Sequence, residues 1–169
     1  MHGNNYNYIL MRKLILSLML CCISTMVYAQ SFDQERIALA KFIERMYNSS
    51  PFEGCRIVDD YDNSYLLSVV ELDKSKYKTS SVMNRIAQVK SQRNAGEFFN
   101  GTQSYSEITI RTPKSEEKGG SKDMVETYEI IRTNSMGFVQ QMALLTNFET
   151  ENGFVVFVFY KKVNDENSN

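Results

Sequence analysis

Apolar residues recur along this chain in two rhythms. In "FDQERIALAKFIERMY", Phe32 to Tyr47, the residues Phe32, Leu39, Ile43 and Met46 fall at helical spacing, and Asp33 and Glu35 suit the positive end of a first turn. The turn residues and proline of "NSSPFEG" end that helix. "CRIVDD" and "SYLLSVVELD" read as a β-hairpin around the polar "YDN". A second helix is expected over "SSVMNRIAQVKSQRNAGEFFNG", capped by Ser80 or Ser81 and stopped at Asn100-Gly101. Along it Met83, Ala87, Ser91 and Ala95 stand one turn apart, with Phe98 or Phe99 beyond. Small residues at that spacing let a helix approach a sheet closely, so this is a packing stripe.

After Gly101 the pattern reads as strand. "QSYSEITIRT" alternates, "PKSEEKGGSKD" is a charged loop, and "MVETYEIIRT", "MGFVQQMALLTNF" and "FVVFVFYKKV" follow. Asn152-Gly153 is a short-range hairpin signal between the last two. The order is helix, two strands, helix, then about four strands. That predicts an α+β domain, a mainly antiparallel twisted sheet of about five to six strands with two helices packed on it. The expected domain runs from 30 to 163, with "NDENSN", 164–169, as a disordered tail.

One strand breaks the usual alternation. In "GFVVFVFYKK", Phe154, Val156, Val158 and Tyr160 fall on one face, and Val155, Phe157 and Phe159 on the other. Neither face suits water. Two helices, one on each side, would cover both; otherwise a partner or a second copy must, since large exposed apolar patches are unusual on a monomer. Phe154, Val155, Val156, Phe157 and Phe159 are therefore the candidate interface residues.

The N-terminal 29 residues read as processing signal rather than fold. Arg12 and Lys13 precede an apolar run, Leu14 to Val27, that ends in Val27-Tyr28-Ala29, and cleavage is expected after Ala29. The run is short for a bilayer span, which needs about 20 residues. The residues before Met11 carry no targeting signal, and translation is expected to start at Met11. A secreted or periplasmic, cell-envelope location follows. A lipid anchor would need acylation at Cys21 or Cys22, and a membrane partner is expected only in that case; neither cysteine follows the small residue such a site prefers.

Removing that segment changes the chemistry on offer. The net charge goes from −1 to −3 with the loss of Arg12 and Lys13, which argues against a nucleic-acid or anionic-membrane partner. Cys55 is left alone, so no internal disulfide forms. His2, the sole histidine, is lost as well. Without imidazole there is no Ser-His-Asp or Cys-His machine, no usual catalytic zinc site and no two-histidine iron site. No cofactor-binding or metal motif is expected, and no enzyme.

The remaining motifs are weak. S-x-x-K occurs as Ser75 with Lys78 and as Ser115 with Lys118, but without the companion motifs of penicillin-binding enzymes, and the second is expected in a loop unable to hold that geometry. "DDYDNS" places Asp60, Asp62 and Ser64 at calcium-loop positions one, three and five, with Glu71 at twelve. Tyr65 stands where the loop needs glycine, so a polar hairpin turn is the better reading. Cys55, with no histidine to activate it, reads as a structural thiol.

From Leu66 to Val163 the chain resembles the LPP20-like lipoproteins and the related N-terminal domain of a flagellar assembly protein. The residues that carry the resemblance are a strand feeding the Ala87, Ser91, Ala95 helix, and "TNSMGFVQQMALLTNFETENGFVVFVFY" with its Ser135-x-Gly137, its turn and its aromatic final strand. It implies a compact α+β envelope module acting by interaction. Three functions follow as expectations: a non-enzymatic module that binds another protein or itself; a small-ligand or carboxylate-based hydrolytic domain with a pocket between helix and sheet; or a lipid-anchored envelope assembly factor.

Overall fold

The structure is a computed structural model that describes residues 11–15, 17, 34–101, 109–119, 129, 131–133 and 135–163. The chain divides into two compact units, Met1–Lys41 and Phe42–Asn169. In the first, residues 11–15 and 17 are helical, and a helical run begins at residue 34. Phe32 and Asp33 lie outside the described residues. That run, 34–49, is α1. Its buried stripe is Leu39, Ile43 and Tyr47, one turn apart, while Met46 is only half-buried. The stripe thus advances by four residues at each step and leaves the Met46 position at its margin. Ser50 N–H closes the last turn on the Met46 carbonyl at 2.9 Å.

The second unit is built on a five-stranded mixed sheet. Its strands are β1 (Gly54–Asp59), β2 (Ser64–Asp73), β3 (Thr109–Arg111), β4 (Ala143–Glu149) and β5 (Phe154–Val163), in the spatial order β3-β1-β2-β5-β4. The expected hairpin forms between β1 and β2, pairing Gly54 with Val69 through to Asp59 with Ser64. β2 and β5 pair antiparallel over ten residues, from Ser64 with Val163 to Asp73 with Phe154. β3 alone runs parallel to its neighbour, β1, from which β2 and α2 (Ser80–Asn100) separate it along the chain.

α2 starts from Thr79, one residue earlier than expected, whose side chain accepts from the Val82 N–H at 3.3 Å. Met83, Ala87, Ser91 and Ala95 form its buried stripe. The small residues bring it close enough for the buried Ser68 hydroxyl on β2 to donate to the Ser91 carbonyl at 3.3 Å. Between β4 and β5, the Thr150 carbonyl accepts from the Gly153 N–H at 3.1 Å. Gly153 takes φ +79°, a conformation that explains glycine at this position.

Three segments expected as strand or loop are helical. Thr112 caps a short α3 (Pro113–Glu117) with proline in its first turn, where the sequence suggested a charged loop. Glu129 and residues 131–133 are helical, within the stretch read as the strand "MVETYEIIRT". Ser135–Gln141 forms α4, where "MGFVQQMALLTNF" was expected to be one long strand. α4 buries Phe138, and the buried Ile131 and Met142 on either side of it stand seven and four residues away, a helical spacing. A 3₁₀ turn, Lys74–Lys76, leads from β2 toward α2, so the sheet carries more helices than the two expected.

Candidate functional site

β5 is an inner strand, and the two faces of the sheet differ in what packs on them. Val155, Phe157 and Phe159 join Cys55, Ile57, Leu66, Val70 and Leu72 in one apolar cluster with Met83, Ala87 and Ala95 of α2 and with Phe138 of α4. Val156 pairs with Glu71 of β2 on one side and Phe148 of β4 on the other, which sets those three on the opposite face. There Tyr47 of α1 packs edge-on against the Phe148 ring at 5.5 Å between centroids and donates its phenol to Glu71 Oε2 at 2.5 Å. Val156 and Val158 are fully buried, as is Phe157 to within 1%. Of the candidate interface residues, Val155, Val156, Phe157 and Phe159 are thus buried within this chain, and Phe154 is half-buried.

The acidic β1–β2 turn is held by its neighbours. Asp59, wholly buried, accepts from the Tyr61 N–H at 2.9 Å and lies 3.8 Å from Arg111 Nε. Asp60 accepts from the Thr112 hydroxyl at 2.5 Å, and Asp62 is paired with Lys114, whose hydrogen bond and then charge pull the Asp62 carboxyl below its usual range. Tyr61 sits at φ +63° beneath Lys118, whose Nζ is 4.2 Å from the ring centroid. These carboxylates hold the β3–α3 segment and point to no ion. Among the described residues no group of three or more His, Cys, Asp or Glu is placed to hold a metal ion.

Of the second S-x-x-K pair, Ser115 lies on helical backbone, contrary to the loop expected there, and Lys118 caps the end of that helix in a turn. The two groups nonetheless do not meet as a nucleophile and base would. Ser115 is wholly buried and its hydroxyl has no hydrogen-bond partner among the described residues, while Lys118 is drawn to Tyr61. Ser75 of the first pair donates to Asp73 at 2.7 Å, a local cap that holds the Asp73 carboxyl below its usual range.

A cleft of about 290 Å³ opens between the start of β1 and the end of α2, lined by Glu53, Arg56, Asn94, Glu97, Phe98 and the Cys55 strand edge. Its two carboxylates are already engaged: Glu53 accepts from the Glu71 N–H at 2.8 Å, and Glu97 is bound by Arg93 Nε at 2.8 Å. Burial pushes the Cys55 thiol up to about 12, against the pull of Ser68 and Arg56. A thiol so raised stays protonated at neutral pH and is a poor nucleophile.

Two surfaces remain that sequence reasoning passed over. Among the described residues the sheet ends on one side at β4, seven residues long, and on the other at β3, only three. α2 turns outward a face bearing Val82, Arg85 and Val89. Strand order carries no sequence signal here, which is why the β4 edge could not be found beforehand. No helix among the described residues is long and apolar enough to cross a membrane. Cys21 and Cys22 lie outside the described residues. No family model, curated protein or solved structure matches the chain.

Proposed function

We propose that this chain is an exported, non-enzymatic module of the bacterial cell envelope, secreted or periplasmic, that works by self-association through the edge strand β4. The observation that supports it is the contrast between the two sheet edges. Natural sheets blunt an edge by shortness, lysine, proline or a bulge. β3 is blunted by its length of three residues. β4 has seven residues, "ALLTNFE", with neither lysine nor proline. It does carry a register shift at Leu145, yet Thr146–Glu149 beyond it pairs regularly with Val158–Val155. Such a run is a template for a further strand, which main-chain hydrogen bonds would hold. The signal-like N-terminus and the lipoprotein resemblance support the envelope location.

Asn147, exposed in the middle of that run, is the position to test. Light scattering after size exclusion should find the parent dimeric, and Asn147→Lys a folded monomer, since a lysine on an edge strand opposes pairing. A parent that stays monomeric up to high concentration contradicts the proposal. The cleft supports a second reading, a small polar ligand held between helix and sheet. Its carboxylates are solvated and hydrogen-bonded, which favours binding over acid–base chemistry there.

A further inference from the structure

α2 buries one side and offers the other to solvent. Opposite the buried Met83, Ala87, Ser91 and Ala95 lie Val82, Arg85, Val89 and Arg93, at steps of three and four residues. Val82 is 48% exposed and Val89 60%. Arg85 and Lys90 are exposed, and among the described residues neither forms an ion pair. Arg93 does pair with Glu97, but its side chain remains 77% exposed, as does 72% of Lys76 beyond the helix start. From Lys76 to Asn100 the cations are Lys76, Lys78, Arg85, Lys90 and Arg93, and the one acid is Glu97. The rest of the chain carries the compensating negative charge, for the whole sums to −1.

On this helical face two exposed aliphatic side chains, Val82 and Val89, alternate with the exposed cations Arg85 and Arg93. Protein interfaces are enriched in arginine but depleted in lysine and favour aromatic anchors in pockets, and Val82, Arg85, Val89 and Arg93 include no aromatic anchor. A face with short apolar groups and several Lys and Arg instead matches a plane of phosphate headgroups, where the cations meet mobile anions and the valines reach the acyl boundary. We infer that the outer face of α2 is a peripheral docking surface for an anionic lipid layer. It is a different surface from β4, and the inference stands or falls independently of self-association.

The test is sedimentation of the full chain with vesicles of phosphatidylglycerol mixed with phosphatidylcholine, against vesicles of phosphatidylcholine alone. The variant is Arg85→Gln with Lys90→Gln, both at exposed positions, with circular dichroism to verify the fold. The N-terminal apolar run is common to parent and variant and cancels in the comparison. Each cation near such a surface strengthens partitioning about fivefold, so the double variant should bind the anionic vesicles about 25-fold more weakly. Salt at about 1 M, where the screening length is about 3 Å, should remove most of the parent's preference for anionic vesicles. Equal binding of parent and variant, or no preference for the anionic vesicles, overturns the inference. So does retention on polyglutamate without retention on vesicles, which would make the partner an acidic polypeptide.

Discussion

At the scale of single residues, the most informative contact is Tyr47 with Glu71. It ties α1 to the face of the sheet that the sequence left in question, and it carries a titration. Burial, then the hydrogen bond and charge of Glu71, raise the phenol well above its ordinary value near 10. A group raised on folding contributes stability that is fully present below its unfolded value and is lost as pH rises toward the folded one. Tyr47→Phe should therefore cost about 1 kcal/mol at neutral pH, the lost hydrogen bond to a part-buried carboxylate. Above pH of about 10 the gap between parent and variant should close. Urea melts across that range give the answer, and a gap that does not change with pH contradicts this account of Tyr47. Cys55 acts with the same sign from its ordinary 9.0 up to about 12, and it does so in both proteins.

At the scale of elements, β5 shows what a doubly apolar strand means in this fold. Val156 and Phe157 point to opposite faces, and both are buried by the chain itself. Lysine at Phe157 would bury a charge among apolar side chains, and lysine at Val156 would bury one beside a Glu71 already bound by Tyr47, each costing several kcal/mol against a total stability of about 5–15 kcal/mol. Val156→Lys and Phe157→Lys should each abolish the cooperative unfolding transition seen by circular dichroism. A folded, soluble variant of either kind would mean that the corresponding face is open. Both helices with a clear buried stripe, the β1–β2 hairpin and the Gly153 turn were legible in the sequence, because each rests on local spacing or turn chemistry. α4 was not: Phe138 and Met142 are separated by "VQQ", and alternation and helical spacing agree too closely over so short a run to be told apart. α3 was hidden by its charge, although Thr112-Pro113 is a start signal that could have revealed it. Of the candidate site, the β5 residues were legible as apolar on both faces, but the side-by-side order of strands was not. Nothing local in "ALLTNFE" tells that it would stand outermost.

At the scale of the whole molecule, the functional proposal depends on what the second unit leaves uncovered once its core is complete. The aromatic and aliphatic mass of β2 and β5 is spent on internal packing, with α2 and α4 on one face and Tyr47 on the other. Among the described residues, what remains outward is main-chain hydrogen-bonding capacity along Thr146–Glu149 of β4 and positive charge along α2. Association is therefore expected to be edge to edge, and to leave both layers of the core intact. Amide hydrogen exchange along β4, followed as protein concentration is raised, tests this most directly. Amides between Thr146 and Glu149 should become protected with concentration while those of β5 stay as they were. Exchange along β4 that is equally fast at every concentration would contradict association through this edge.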